Sequence, residues 1–188
     1  EYVRQGDSYN NRFLDGPAAV KNGGENRPGI LVAIIKCENV LMKDIEIKNA
    51  PNWCVHLAGC NKATISNVTV NNSLLVPNAD AFDISVCKNV MISDCNIVAG
   101  DDGIAISPCG DGFASIDAEN IHVSNCNITS RSAGIRIGWS VNNIRNCTFR
   151  NLTIQSNRGI CINARHDEMI ENILFSDIII ETRLHSGW

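Results

Sequence analysis

Six eight-residue runs of one pattern recur along this chain of 188 residues, and nothing else in it restricts the fold so tightly. They begin at Val40, Ala63, Val90, Ile121, Cys147 and Ile173, at separations of 23, 27, 31, 26 and 26 residues. Each reads apolar, any, apolar, any, Asp or Asn, apolar, any, apolar, from VLMKDIEI in the first to ILFSDIII in the last. An asparagine stands directly before most of them: Asn39, Asn89, Asn120, Asn146 and Asn172. Self-similarity at such a period marks a solenoid. The alternation marks strands. The central Asp or Asn tolerates the left-handed backbone of a sharp bend. Each unit is therefore a strand, a corner and a second strand.

A further short run completes each coil: CVHL from Cys54, AFDI from Ala81, GIAI from Gly103, GIRI from Gly134 and GICI from Gly159. Three short strands per turn of about 25 residues describe an all-β fold, a parallel β-helix of about six coils. Leucine is too sparse for a leucine-rich repeat, and a β-sandwich would not keep the asparagines in phase. Residues 1–29 carry Gly6, Gly16, Pro17, Gly23, Gly24, Pro28 and Gly29 and read as an irregular N-terminal segment. Residues 30–188 read as coils expected to belong to one larger domain: a solenoid end needs a cap, so either this is a fragment or other segments cap it.

Composition narrows the function. A net charge of -4 provides no basic field for nucleic acid. No apolar run approaches the roughly 20 residues that span a membrane. No charged-then-apolar leader stands at Glu1, so any signal peptide is removed or lies outside the chain. Nine cysteines without CxxC spacing argue against a zinc ribbon or redox pair. Cys95 and Cys126 fall in one inward column, and Cys37, Cys60 and Cys87 in another, where cysteine serves as small apolar filler. Adjacent coils about 4.8 Å apart also bring Cys95 and Cys126 within disulfide reach, and the pairing stays open.

The chemistry gathers between Asn78 and Ile106, in NADAFDIS and AGDDGIAIS. Counting back from the third strand of each coil puts Trp53, Asp80, Asp102, Ala133 and Arg158 in one column, with Asp101 beside Asp102. Asp83 points outward from the same strand as Asp80. Like charges stacked about 5 Å apart raise at least one pKa. Turn-capping, a calcium site and the acid and base of a glycosidase all use such carboxylates.

The two aspartate motifs, about 20 residues apart on this repeat, resemble the Asn-x-Asp and Gly-Asp-Asp pair of glycoside hydrolase family 28. That family contains polygalacturonases and rhamnogalacturonan hydrolases. The resemblance runs from about Pro28 to Thr182 and includes PNWCVHLAGC. It implies a right-handed β-helix that hydrolyses pectin-type polysaccharide with inversion, Asp101 being the general acid and Asp80 and Asp102 activating water. It implies no cofactor, a secreted or periplasmic location, and nothing about oligomeric state. The polysaccharide is the only partner expected, with neither nucleic acid nor membrane.

The chain departs from the family where galacturonate is held. Arg131-Ser132-Ala133-Gly134 stands in place of Gly-His-Gly, Cys161-Ile162-Asn163 in place of Arg-Ile-Lys, and Gly103 in place of the usual Cys. Arg136 and Arg165, flanked by His166, either replace the missing carboxylate clamp, because arginine binds carboxylates bidentately, or are solvated surface charges or partners of Asp83. The candidate substrate contacts are thus Asn78, Asp83, Arg131, Arg136, Arg165 and His56. A calcium-dependent polysaccharide lyase and a non-catalytic carbohydrate-binding β-helix are the rival readings.

Overall fold

A computed structural model describes residues 29–107, 117–139, 142–164 and 168–182. The expected irregular segment, Arg165, His166 and the chain's last six residues lie outside these ranges, save for Gly29. Among the described residues there are thirteen strands: β1 (Val32–Ile35), β2 (Glu38–Lys48), β3 (Val55–Ala58), β4 (Asn61–Asn71), β5 (Phe82–Ser85), β6 (Lys88–Ser93), β7 (Asn96–Ala99), β8 (Ile104–Ile106), β9 (Ala118–Ser130), β10 (Ile135–Gly138), β11 (Ile144–Ser156), β12 (Ile160–Asn163) and β13 (Ile170–Thr182).

All pair in parallel, in two ladders ordered β1-β3-β5-β8-β10-β12 and β13-β11-β9-β6-β4-β2, with β7 between β4 and β9. This is a right-handed parallel β-helix of about five turns. The six repeat starts form one column: Val40, Ala63, Val90, Ile121, Cys147 and Ile173 pair coil to coil in that order.

The expected corners are where the sequence places them. Asp44, Asn67, Asp94, Asn125, Asn151 and Asp177 have φ between 51° and 57°. The strands nevertheless run through these bends in five coils and split only in the third, into β6 and β7. Because every coil bends at the same register position, the interstrand hydrogen bonds carry on across the corner. The two short strands expected per unit are therefore one long bent strand in most coils.

The residues before each run bend as well, Asn39, Asn89, Asn120, Asn146 and Asn172 at φ 54–58°. Their side chains link the coils: Asn120 Nδ2 donates to Asn89 Oδ1 (3.0 Å), Asn89 to Asn61 (2.8 Å), and Asn172 to Asn146 (3.1 Å). One coil lacks the asparagine, and there Lys62 adopts φ 58°. A left-handed Lys costs about 1 kcal/mol where Asn is tolerated. Lys62→Asn is expected to raise the unfolding free energy from urea titration by that margin, and an unchanged or lower value would contradict the strain.

Inside, Val55, Phe82, Ile104 and Ile135 form one buried column, with Leu57, Ile84, Ile106 and Ile137 beside it. Each such side chain contributes about 1.5–3 kcal/mol by leaving water. Cys95 and Cys126 fill the column that Val68 and Leu152 continue. The eight described cysteines are free thiols; six of them, Cys54, Cys60, Cys87, Cys95, Cys126 and Cys147, are buried and pack as filler, whereas Cys37 is exposed and Cys161 half-buried.

Candidate active site

Asp80 ends the turn before β5, and Asp101 and Asp102 end the turn before β8. The coil-to-coil ladder extends into these turns. Cys54 N–H donates to the Asp80 carbonyl (2.9 Å), Ala81 N–H to that of Asp102 (3.0 Å), and Gly103 N–H to that of Ala133 (2.9 Å). Phe82 pairs with Ile104, so Asp80 and Asp102 are stacked one coil apart, as counting along the sequence indicates. Carboxylate oxygens of Asp80, Asp101 and Asp102 all lie within 4.8 Å of one another.

Two glycines permit this crowding. A Cβ on Gly100 would fall 2.2 Å from the Val76 carbonyl oxygen, so only glycine lets the segment of residues 73–79 lie against the acidic turn. A Cβ on Gly103 would fall 2.4 Å from Ile128 Cγ2 and 2.6 Å from the Gly134 carbonyl oxygen. A cysteine at this position does not fit this backbone.

Each carboxylate has its own surroundings. Asp102 accepts from Ala133 N–H at 3.0 Å and from the Arg136 guanidinium through Nε. Arg136 Nη2 lies 3.7 Å from Asp80 Oδ2. Asp101, half-buried, accepts from Asn78 N–H at 3.3 Å, and its carbonyl accepts from Ser130 Oγ at 2.6 Å. Burial, then the charge of Asp102, pushes the Asp101 carboxyl up to about 6, against the opposing pull of Arg136, the Ser132 hydroxyl and Asn78 N–H. Burial raises Asp80 well above the usual carboxylate range, reinforced by Asp83, Asp101 and Asp102 and opposed by Arg136. Asp83 is raised chiefly by burial, with Arg136 opposing. For Arg136 burial opposes the charge, and Asp102 and Asp80 overcome it, raising its pKa.

The candidate substrate contacts divide. Asn78 stands at the rim, half-buried. Asp83, Arg131 and His56 are instead almost inaccessible, at 0%, 3% and 8% exposure. Asp83 shares its column with His56 and Arg136, and neither of its oxygens has a hydrogen-bond partner among the described residues. Arg131 directs Nη1 to the Leu74 carbonyl (3.1 Å) and braces the segment over Gly100. His56 Nε2 meets Ser85 Oγ at 2.9 Å, its ring lies edge-on to Trp53, and burial lowers its pKa. Arg136 stands in the outward column with Asp83 and Cys161, and its guanidinium is directed to Asp102 and Asp80.

Trp139 escapes sequence reasoning. It is 42% exposed, has φ 84°, and lies under the Arg136 guanidinium, 5.6 Å from ring centroid to Cζ. Its sequence signal is slight: a tryptophan just past the strand that carries Arg136.

A right-handed β-helix with buried, stacked aspartates at one strand edge defines a narrow class of protein. Within it, the chain belongs to glycosyl hydrolases family 28, whose family model matches residues 4–185. It is 37% identical over 71 residues to a probable polygalacturonase of Arabidopsis thaliana, covering 38% of this chain and 16% of that protein. It is 32% identical over 100 residues to a probable endopolygalacturonase of Aspergillus fumigatus, covering 51% and 26%. An exopolygalacturonase from Thermotoga maritima superposes with a TM-score of 0.71 at 27% identity, over 81% of this chain and 38% of that one. The chain thus spans roughly a sixth to two-fifths of these relatives.

Proposed function

We propose that the protein is a secreted or periplasmic glycosidase that hydrolyses a pectin-type polysaccharide. One observation carries the reading most strongly: three carboxylates converge within 4.8 Å, and that of Asp101, a half-buried residue, has its pKa raised to about 6. A carboxyl still protonated at mildly acidic pH beside two further carboxylates is what protonation of a leaving glycosidic oxygen requires. Asp101 is the general acid in this reading. Asp80 and Asp102 hold and activate the attacking water, Arg136 positions both, and Asn78 contacts substrate at the rim. Arg165 is assigned to substrate on the sequence alone.

Inversion is proposed on the family resemblance. Separations below 5 Å lie closer to the ~5–5.5 Å of retaining sites than to the 6.5–9.5 Å of inverting ones, so stereochemistry is a discriminating test. Proton NMR of the first-formed product is expected to show the inverted anomer, and the retained anomer would instead make one aspartate a nucleophile.

The triad's oxygens also suit a divalent cation, as a calcium-dependent lyase would need. Arg136 already places a fixed cation on Asp102 and beside Asp80, which favours the hydrolase. Incubation of the intact protein with pectic polysaccharides is expected to release reducing ends whether or not a chelator is present, with no ultraviolet absorbance from unsaturated product. Chelator-sensitive absorbance would assign the site to a lyase, and silence on every substrate would leave a binding module.

A further inference from the structure

Building on that glycosidase reading, we infer that Arg131 is a positioning residue for Asp101: it ties down residues 73–79, so that the Asn78 N–H stays on the Asp101 carboxylate. The segment follows β4 and leads into the turn that carries Asp80. Its two ends are fixed to the coil stack. Asn72 N–H donates to the Val98 carbonyl (3.0 Å), Asn72 Nδ2 to the Ala79 carbonyl (3.4 Å), and Gly100 N–H to that same carbonyl (3.1 Å). Between the ends the segment turns on Ser73, whose carbonyl accepts from Val76 N–H and whose Oγ accepts from Leu75 N–H, both at 3.2 Å. Leu75 is 44% exposed, so this stretch borders solvent.

Arg131 reaches the segment from the far side of Asp101. Its own N–H pairs with the Ala99 carbonyl (3.1 Å), on the coil after Asp101, and its Nη1 donates to the Leu74 carbonyl (3.1 Å), on the coil before. Asp101 thus lies between the arginine's backbone and the stretch its guanidinium holds. The neighbouring serine fixes the backbone of the acid, since Ser130 Oγ donates to the Asp101 carbonyl (2.6 Å) and accepts from Ser132 N–H (2.9 Å). On the other side Asn78, at φ 52°, brings its N–H to Asp101 Oδ2 (3.3 Å). Burying a guanidinium is costly, and Arg131, 3% exposed, spends its Nη1 on the stretch that supplies this donor.

The charged groups around Asp101 are Asp102 in its own turn, Asp80 and Asp83 on the coil before, and Arg136 on β10. Burial and then Asp102 hold its carboxyl at about 6, while Arg136, the Ser132 hydroxyl and the Asn78 N–H draw it down. A donor on the charged form favours that form. Releasing the segment withdraws the Asn78 donor, so the acid both loses its aim and keeps its proton to higher pH.

The test is the pH dependence of kcat/KM for reducing-end release by the intact protein, wild type against Arg131→Met, where both are folded. The variant's alkaline limb is expected about one pH unit higher, and its rate at pH 5 about tenfold lower because the acid is misplaced. Arg131→Lys keeps a donor for the Leu74 carbonyl and should restore most of both. A lower rate with the limb unmoved would make Arg131 merely structural, and a wild-type rate and limb would make it irrelevant; either overturns the inference. Gly100→Ala displaces the same segment without touching Arg131, because its Cβ would fall 2.2 Å from the Val76 carbonyl oxygen. It should move the limb the same way, and it decides the matter if Arg131→Met does not fold. A wild type that releases no reducing ends would remove the glycosidase reading. Titration of the Asp101 carboxyl by carbon NMR in the wild type and Arg131→Met would then still judge the contact: a higher midpoint in the variant upholds it, and equal midpoints overturn it.

Discussion

Asp101→Asn is expected to lower the release of reducing ends from a pectic polysaccharide by about 10³-fold, within the 10²–10⁴-fold range of general acid catalysis. Asparagine keeps the shape and still accepts from Asn78 N–H, which holds Oδ2 at 3.3 Å, so the fold and substrate binding should survive. It has no acidic proton for the leaving oxygen. The loss should therefore shrink when the leaving group is good. On a nitrophenyl glycoside of the same sugar, the variant is expected to recover most of its deficit. Equal losses on both substrates would assign Asp101 to binding or to water activation. Wild-type rates in the variant would remove it from the chemistry.

Arg136→Met should be the most damaging single change to stability. Methionine keeps much of the apolar stem but withdraws the guanidinium from Asp102 and Asp80, whose side chains are 4% and 3% exposed. Removing one partner of a buried pair leaves an uncompensated charge and costs about 3–5 kcal/mol. A fall of that size in unfolding free energy is expected from urea titration at pH 8.

The loss should depend on pH, with a definite sign. Asp80, Asp83 and Asp101 all have folded pKa values above the ordinary 3.8. A raised carboxyl pKa means that the folded state holds its proton more tightly, so stability declines as pH rises from about 4 through the folded value. For Asp101 that decline is nearly complete just above pH 6, and Asp80 and Asp83 extend it upward. Lowering the pH from 8 to 5 should therefore restore part of the variant's stability. A variant equally unstable at both pH values, or as stable as the wild type, would show that Arg136 does not neutralise this cluster.

How much of this was legible in advance follows from what a period can encode. The repeat starts at Val40, Ala63, Val90, Ile121, Cys147 and Ile173 pair coil upon coil because alternation and the Asp or Asn corner fix both register and bend. Counting from those strands was enough to stack Asp80 on Asp102. Counting could not show which side chains would be covered. Asp83, His56 and Arg131 occupy outward or flanking positions, yet all three are buried. The direction of Arg136 depends on where the negative charge accumulates in three dimensions, and Trp139 depends on a turn that follows no repeat rule. The cross-coil asparagine hydrogen bonds were half legible. The phased asparagines were plain, but their coil-to-coil contacts needed the stacking distance.

The most direct measurement of the central claim, that Asp101 works as a proton donor, is the pH dependence of kcat/KM for reducing-end release by the intact wild-type protein. The acid must hold its proton, so the rate should fall as pH rises through about 6, the value burial and Asp102 give Asp101. The same limb should be missing for Asp101→Asn acting on the nitrophenyl substrate. A wild-type profile flat from pH 5 to 8, or an alkaline limb that persists without Asp101, would contradict it.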